Sequence, residues 1–478
     1  MSNTKSSEPP RPPAEAFVIP GRETFLKALD LDLPELADVK AALETGDVAE
    51  AGSAYVRHFR TCDLSSTLLT DWDSLPQDPS YENPIAEDCL RGRLYDGYNY
   101  YDIPQEGIDW YDCPLFCLPR FPIFPALVAS WHHKQDDRYP RFVIDHALEY
   151  MAAYSIQDFA GKHSNEGYRN HYLVGPPTWW CLCPNRLEAW SSALALLRRS
   201  PSVTDEEILL SLHRMLQEIR YFITQVPFWL GRRHNVASFT IRVFGILTRV
   251  FQDFSEAARW REMDAEWLAE YIDGGFYPDG LFKELTLGYS SSVTAQTSRI
   301  ASDLFGEPPI QERSGQLAAM VGAMVGLAKP TGPVPSFGDG PGRTLGIVWC
   351  EELVKQIGVP WLSEISDAVQ SIKPPVGPGL PPRNIGPEEW PDFSLTSPPF
   401  TEWPPAGEPA WGGYYAMRSD WSADARYLMV DGGPWGTTHR HMDKLSFELA
   451  AYGADFITDP GNTQYANNEP DARISMLN

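Results

Sequence analysis

Apolar residues recur at intervals of three to four along most of this chain, which is the spacing of amphipathic helices. Between residues 23 and 60, the apolar series includes Leu36, Val39 and Leu43 and is broken at Gly46–Asp47. Beyond Ala126 the loops between predicted helices are modest, so consecutive helices are expected to be antiparallel. The helices predicted there span residues 141–158, 185–199, 205–224, 236–254, 255–272, 290–305 and 311–328, with a shorter one near 345–357.

Two other regions of the chain lack this helical pattern. Residues 61–130 are rich in Tyr, Trp, Asp and Pro, and they are predicted to form long loops with short helices. Residues 373–409 are dense in proline, which predicts a linker or an extended wrap rather than a core element. Alternating apolar and polar residues then predict antiparallel strands at 413–418, 426–430, 444–451 and 454–458.

These patterns predict a multidomain fold in which helices precede strands. Consecutive helices without clear strands are typical of an α-solenoid or an α/α toroid, and the absence of a fixed repeat length weighs against the solenoid. Four strands leave an exposed sheet edge, so the β part is expected to pack on the helices or to be truncated, and the abrupt end after Asn478 favours truncation. The predicted divisions are a disordered tail (1–20), a helical domain (21–372), a linker (373–410) and a truncated β domain (411–478).

Composition and charge exclude several classes of protein. A net charge of −25 argues against a nucleic-acid partner, because phosphate binding needs an excess of Lys and Arg. It also conflicts with a polyanionic substrate, unless a local basic patch acts within the screening length of ~8 Å. The N-terminal residues are polar and proline-rich, and no apolar run is long enough to span a membrane, which predicts a cytoplasmic protein. Seven cysteines, an odd number, favour free thiols.

The segment with the densest candidate chemistry lies around His439, His441 and Asp443, immediately before a predicted strand. The next predicted strand would return Asp459 to the neighbourhood of His441. A histidine and an aspartate held by a hairpin can supply half of a zinc site, which normally has four ligands. The alternative is a hairpin whose histidines are satisfied by hydrogen bonds.

Two segments at helix boundaries are further candidates. Asn235 follows Arg232 and Arg233 and precedes an amphipathic helix, and from the sequence alone an N-cap is the favoured interpretation. Arg232 and Arg233 are either solvated surface charges or the local positive patch that a negatively charged protein needs in order to bind a polyanion. Tyr289 follows the turn Pro278–Gly280 and lies where a loop meets a helix, so it either projects into a cleft or packs half-buried.

Together these segments resemble the heparinase II/III-like polysaccharide lyases. The resemblance implies an α/α toroid, an incomplete barrel of helical hairpins, followed by an antiparallel β-sandwich, with the active site in the cleft between them. This chain departs from the family pattern at Arg440, where members often carry glycine or glutamine. The resemblance rests on His439-x-His441-x-Asp443-x-Leu445-Ser446-Phe447, Gly453 and Asp459–Asn462 in the β part, and on Leu29–Leu36, Gly46–Asp47, Ala257–Trp260, Pro278–Gly280, Glu284, Tyr289 and Pro335–Asp339 in the helical part.

The resemblance implies cleavage of uronic-acid polysaccharides by β-elimination. In that reaction a base removes the C5 proton, the developing enolate charge is stabilised, and an acid protonates the departing C4 oxygen. By resemblance, Asn235 stabilises the carboxylate charge, and either it or the adjacent His234 faces the substrate. His439 neutralises the carboxylate or acts as the base, and Tyr289 is the general acid, or acid and base both.

The resemblance also implies binding roles and partners. The substrate is expected to be an acidic polysaccharide or oligosaccharide, without nucleic acid or membrane, and the assembly a homodimer. A periplasmic or secreted location is expected if the N-terminus is incomplete. The implied substrate-binding residues are Arg232, Arg233, Glu284 and Arg440, and the implied ligands of a structural Zn²⁺ are His441 and Asp459, with a third protein ligand beyond Asn478.

Two alternatives remain open at this point. A glycoside hydrolase on a similar toroid would use paired carboxylates, and Asp279 and Glu284 are close in sequence. A non-catalytic glycan-binding protein would not depend on Tyr289 or His439 for its function.

Overall fold

The computed structural model describes most of the helical region and a C-terminal sheet. The predicted tail lies almost entirely outside the described residues, as does the predicted linker 373–410. By internal contacts the chain divides into two compact units, Met1–Phe228 with Val243–Asp264, and Trp229–Arg242 with Ala265–Asn478. The described residues are 18–64, 72, 74–96, 99–105, 107–110, 117–155, 182–339, 348–360, 362, 412–437, 439, 441–459 and 461.

The first unit is built mainly from helices. The predicted break at Gly46–Asp47 is confirmed, because α2 ends at Glu44 and the Asp47 carboxylate accepts a hydrogen bond of 3.0 Å from the Glu50 N–H at the start of α3. Its described helices are α1 (Gly21–Leu26), α2 (Ala37–Glu44), α3 (Val48–Thr61), α4 (Pro84–Leu90), α5 (Phe124–Lys134), α6 (Arg138–Ala153), α7 (Leu182–Leu197), the larger part of α8 (Asp205–Arg232), the second half of α9 (Asn235–Val250) and the first part of α10 (Ala257–Gly275), with 3-10 turns at Pro34–Leu36 and Leu118–Arg120.

Two features of the first unit differ from the sequence prediction. The region predicted as loops and short helices contains an antiparallel pair, β1 (Arg93–Tyr95) and β2 (Tyr100–Asp102). Tyr95 and Tyr100 are cross-strand partners whose ring centroids lie 4.7 Å apart, a contact that stabilises such a pair. Helix α8 was predicted to end at Thr224 and continues through Pro227, because Leu230 beyond the proline is buried and Phe228 and Trp229 are half-buried.

The second unit combines helices with a sheet. Its helical segments come from the first half of α9 (Asn235–Val250), the second half of α10 (Ala257–Gly275), α11 (Leu287–Asp303), α12 (Pro308–Gln311), α13 (Ser314–Leu327) and α14 (Glu351–Ile357). The strands are β3 (Tyr414–Arg418), β4 (Tyr427–Asp431), β5 (Phe447–Ala451) and β6 (Ala454–Ile457). They form one antiparallel sheet in the order β3-β4-β5-β6, so all four predicted strands are confirmed.

The alternation along β5 places a charged side chain in the interior. Glu448 is 1% exposed, whereas its neighbour Phe447 is 44% exposed. The Glu448 carboxylate lies 3.0 Å from the Lys329 ammonium, which also lies 2.9 Å from Asp455, and such pairing is what makes a buried carboxylate tolerable. The other Glu448 oxygen accepts hydrogen bonds from the backbone N–H groups of Ser336 and Asp459. This network joins β5 to the chain segments that precede and follow it.

Two further properties bear on the sequence predictions. Within the described ranges, no helix is long and apolar enough to cross a membrane. The five cysteines in those ranges, Cys62, Cys89, Cys117, Cys183 and Cys350, are free thiols.

Candidate active site

Three segments of the second unit meet around one buried carboxylate. Glu284 is fully buried and accepts a hydrogen bond of 2.9 Å from the backbone N–H of Asn235, the first residue of α9. His234 lies beside it, with Nε2 3.8 Å from the same carboxylate oxygen. The centroid of the His234 ring is 5.9 Å from that of His439. A negative group at a helix N-terminus is stabilised by the helix dipole, which explains how this carboxylate is held.

Asn235 does not cap α9 with its side chain, so the N-cap interpretation was wrong. Its Oδ1 is buried and makes no hydrogen bond of good geometry within the described residues. The capping interaction comes instead from His234, whose Nδ1 accepts a bond of 3.3 Å from the Val236 N–H and whose carbonyl accepts from Ala237. A buried amide released from capping is available to a ligand, since unsatisfied polar groups are costly in a protein interior.

Tyr289 and His439 form a stacked pair. Their ring centroids lie 3.9 Å apart with an interplanar angle of 13°. Tyr289 occupies the first turn of α11, where the sequence placed a loop-to-helix junction. His439 is also held by Asp339, whose Oδ2 lies 3.0 Å from His439 Nδ1 and whose backbone N–H donates to the His439 carbonyl. When Nδ1 carries the proton that is shared with Asp339, the neutral ring presents its lone pair on Nε2.

Asp339 was not among the residues predicted for the site. It bridges both histidines of the C-terminal motif, because its Oδ1 lies 2.8 Å from His441 Nε2. Burial acts to raise the pKa of Asp339, but the contacts with the two histidines together outweigh it and the pKa is lowered. Pro335–Asp339 belonged to the family resemblance, but nothing in its local sequence indicated that its carboxylate would reach residues a hundred positions away.

The histidines of the site differ in their electrostatics. The pKa of His234 is lowered to about 4, mainly by burial, and the nearby His439 and Arg232 contribute to this lowering. His234 is therefore neutral at physiological pH and can donate or accept a hydrogen bond without carrying charge.

The backbone around the site is strained. Arg233, Leu285 and His439 have φ angles of 53°, 55° and 58°, in the left-handed region that non-glycine residues rarely adopt. Gly436 passes so close to Glu284 that a Cβ on it would lie 1.8 Å from the Glu284 carbonyl oxygen. These positions are adjacent to the residues that would do chemistry, which is where stored backbone strain is usually found.

The predicted zinc ligands are near each other but do not form a set of three. Burial raises the pKa of Asp459, and the nearby Asp443 acts in the same direction whereas His441 acts against it. However, His441 Nε2 lies against Asp339, and the Asp459 carboxylate accepts from the Gly461 N–H at 2.7 Å. Within the described residues, two groups of three side chains lie close enough to hold a metal ion, and neither contains His441 or Asp459. These groups are His58, Cys62 and Asp253, and His234, Glu284 and His439. The residues present thus provide an incomplete donor set, and the zinc stays a prediction.

The predicted substrate-binding residues have different surroundings. Arg232 and Arg233 are exposed beside the site at the end of α8, whereas Glu284 is inaccessible and holds the start of α9. Arg440 lies outside the described residues. His234, Asn235, Glu284, Tyr289 and His439 all belong to the second compact unit.

Comparison with known proteins defines the class of this fold. The family model described as "Heparinase II/III N-terminus" matches residues 25–346, and "Heparinase II/III-like, C-terminal" matches residues 406–475. The chain therefore belongs to the heparinase II/III family. The resemblance inferred from the sequence is confirmed.

Two curated relatives are named heparin-sulfate lyases. The one from Pedobacter heparinus is 22% identical over 467 residues, and the match covers 92% of this chain and 63% of the relative. The one from Bacteroides stercoris is 24% identical and covers 92% of this chain and 64% of the relative. The chain thus spans a little under two thirds of the length of these relatives.

Solved structures of similar proteins confirm the predicted fold class. The structure titled heparinase III superposes with a TM-score of 0.67 at 18% identity, covering 94% of this chain and 68% of that one. A heparan sulfate lyase structure from Pedobacter heparinus gives a TM-score of 0.61 at 18% identity, covering 95% and 68%. The α/α toroid followed by antiparallel β structure is therefore the fold class of this chain.

Proposed function

We propose that this protein is a polysaccharide lyase that cleaves uronic-acid-containing glycans of the heparin and heparan type by β-elimination. The observation that carries the proposal is the stacking of Tyr289 on His439 beside His234 and Asn235. The relatives named heparin-sulfate lyases support the substrate class.

The first requirement of this reaction is to stabilise charge on the uronate carboxylate as the C5 proton leaves. The Asn235 amide and the neutral His234 ring are the groups proposed to do this. Both are fixed by the start of α9, since Glu284 holds the Asn235 backbone and His234 bonds to Val236. Donors held in place before the substrate arrives cost no reorganisation during the reaction.

The second requirement is proton transfer at C5 and at the C4 oxygen. His439, with Nδ1 on Asp339, offers Nε2 to accept a proton or to neutralise the carboxylate. The Tyr289 hydroxyl is proposed as the acid that protonates the departing C4 oxygen, or as both base and acid. The electron pair of the broken C5–H bond forms the C4–C5 double bond, and the C4–O pair leaves with the added proton.

The hydrolase alternative has little support in the geometry. The two Asp279 oxygens accept bonds from the backbone N–H groups of Leu281 and Gly412, at 3.3 and 2.9 Å. Burial raises the pKa of Asp279 to about 7, but these backbone bonds give it a structural role in its turn. Glu284 is fully buried. Neither carboxylate is presented as one of the pair that flanks a glycosidic bond.

The proposal is tested by incubating the full chain with heparan sulfate, hyaluronan, alginate and glucuronan. Formation of an unsaturated product is followed by the ultraviolet absorbance of the C4–C5 double bond. We expect absorbance to rise with at least the heparan-type glycan, and the Tyr289→Phe rate to fall by roughly 10²–10⁴-fold with glycan binding retained. Absence of unsaturated product across the whole panel would contradict the proposal.

A further inference from the structure

A cavity lies within the same unit as the candidate active site. Its volume is about 690 Å³, which is within the range of small-molecule binding sites. Its lining includes Arg233, Lys283, Tyr277, Pro434 and Trp435. None of the catalytic candidates lines it, so the cavity is a separate binding space.

The cavity is continuous in sequence with the active site on three segments. Arg233 directly precedes His234, and Lys283 directly precedes Glu284. Trp435 precedes Thr437, whose backbone N–H donates to the Lys283 carbonyl at 3.2 Å. Each of these segments therefore carries one residue into the cavity and another, within a few positions, into the candidate active site around Glu284. A ligand chain that occupied both would be held by the same three segments.

The cavity carries two basic side chains close together. The Lys283 ammonium donates to the Gly274 carbonyl at 2.8 Å. A Cβ on Gly274 would lie 3.3 Å from Arg233 Nε, so the Arg233 side chain passes over the same residue. Arg233 is exposed and forms no ion pair with another described residue. Two cations converge here on a chain whose net charge is −25.

The acidic residue on the cavity wall is already neutralised. Both Asp273 oxygens accept hydrogen bonds from Arg313, one from Nε and one from Nη2, and Gln316 donates a further bond of 3.1 Å. The hydrogen bonds from Arg313 are the main cause of the lowered pKa of Asp273. The charge of Asp273 is thus balanced by Arg313, and the other charged side chains of the lining are the cations Arg233 and Lys283.

Aromatic rings complete the lining. Trp435 is 52% exposed, an unusual state for so large an apolar side chain. The Lys283 ammonium lies 5.6 Å from the centroid of the Tyr277 ring, which fixes the direction of that cation. Flat amphipathic rings beside fixed cations suit a ligand that has both an apolar ring face and an anionic substituent.

We propose that this cavity is a subsite for an anionic sugar unit of the glycan, next to the unit that is cleaved. Arg233 and Lys283 bind its carboxylate or sulfate, and Trp435 packs against its ring. The inference rests on the proposed function for the identity of the ligand. It also accounts for how a strongly acidic protein can hold a polyanion, because the binding charge is local.

The test measures binding apart from turnover. In a Tyr289→Phe background, calorimetry would follow binding of a heparan sulfate tetrasaccharide and of its unsulfated counterpart. We expect Arg233→Gln and Trp435→Ala each to weaken binding roughly tenfold, the scale of one charge-assisted hydrogen bond or one aromatic contact. Trp435→Phe, which keeps a ring, should recover part of the loss. Weakening with both ligands identifies a carboxylate contact, and weakening with only the sulfated ligand identifies a sulfate contact.

Matched controls are the exposed Lys355→Gln and Phe456→Ala in the same unit, which should bind as the Tyr289→Phe parent does. The subsite is overturned if Arg233→Gln and Trp435→Ala bind like these controls, or if neither tetrasaccharide binds the parent. Failure of the lyase proposal looks different: the tetrasaccharides would bind and the variants would weaken them, yet the unmodified chain would form no unsaturated product.

Discussion

Two fully buried glutamates, one in each compact unit, are held in contrasting ways. In the first unit, the Glu218 carboxylate accepts bonds of 2.9 and 2.7 Å from Arg186 and of 2.8 Å from Arg214. In the second unit, Glu284 accepts a backbone N–H from Asn235 and lies 3.8 Å from a neutral histidine. Glu218 is surrounded by opposite charge, whereas Glu284 is held by the end of a helix.

The contrast between the surroundings of Glu218 and Glu284 indicates that the first carboxylate stabilises the fold and the second positions a site. Removing one member of a tightly paired buried ion group leaves the others uncompensated, so the Glu218 group is expected to be essential to stability. The surroundings of Glu284 include left-handed backbone at Arg233, Leu285 and His439, together with a buried Asn235 oxygen. Strained backbone and a buried polar atom without a hydrogen-bond partner are features of sites that a ligand completes.

The largest expected effect is on turnover at the strained site. His439→Ala removes the ring stacked on Tyr289 and bonded to Asp339, so we expect the rate of unsaturated-product formation to fall by roughly 10²–10⁴-fold. His133→Ala, at a half-buried histidine of the first unit whose ring stacks on Tyr81, should keep the wild-type rate. Equal rates for both variants, measured by ultraviolet absorbance, would remove His439 from the mechanism.

The next largest effect concerns stability in the first unit. Glu218→Gln leaves Arg186 and Arg214 without a carboxylate in a buried setting, and the free energy of unfolding should fall by about 3–5 kcal/mol. Chemical denaturation measures this loss. A change below about 1 kcal/mol would show that the arginines find other partners and that the contrast between the glutamates is weak.

An acid-dependent effect of intermediate size should come from buried histidines. Burial lowers the pKa of His146 to about 3, and that of His234 to about 4. The unfolded chain binds these protons below about pH 6.5 and the folded chain does not, so stability is present above pH 6.5 and is lost as pH falls. At pH 5 each of these two histidines should lower the free energy of unfolding by about 2 kcal/mol relative to pH 7.

The variant His146→Phe isolates one of these contributions. His146 lies among Trp110, Phe121 and Phe142, and its Nε2 has no hydrogen-bond partner within the described residues. Unfolding free energies measured at pH 7 and pH 5 should therefore differ by about 2 kcal/mol less than in the wild type. An unchanged pH dependence would mean that His146 is not buried in its neutral form.

The smallest expected effect is the loss of stability when Glu284, the second buried glutamate, is neutralised. Glu284→Gln keeps an oxygen that can accept the Asn235 N–H, and the lost charge at the helix N-terminus is worth about 1 kcal/mol or less. Denaturation of this variant beside Glu218→Gln should show the larger loss in the latter. If Glu284→Gln is the more destabilised protein, Glu284 is a structural charge like Glu218.

Much of the fold could be predicted because it is encoded locally. Apolar spacing predicted the helices and all four strands of the sheet, and the predicted break at Gly46–Asp47 coincides with a helix start that the Asp47 side chain caps. The end of α8 was misjudged because burial beyond Pro227 outweighs the local effect of proline. The burial of Glu448 was not visible because its partner, Lys329, is distant in sequence.

The candidate site was predicted unevenly for the same reason. The histidine motif and Tyr289 were candidates because of their composition and position, and the family resemblance added Asn235 to the predicted site. Asp339 and Trp435 gave no local signal, because their surroundings exist only after the chain has folded. The interpretation of Asn235 as a cap failed because the neighbouring His234 can make that bond through its ring nitrogen.

The central claim is that bond cleavage proceeds by elimination and consumes no water. Digestion of heparan sulfate by the full chain in water enriched in heavy oxygen, with mass spectrometry of the products, tests it most directly. The account predicts unsaturated products that carry no heavy oxygen from the solvent at the cleaved linkage. Products that contain solvent oxygen at a new reducing end, and lack the double bond, would contradict it.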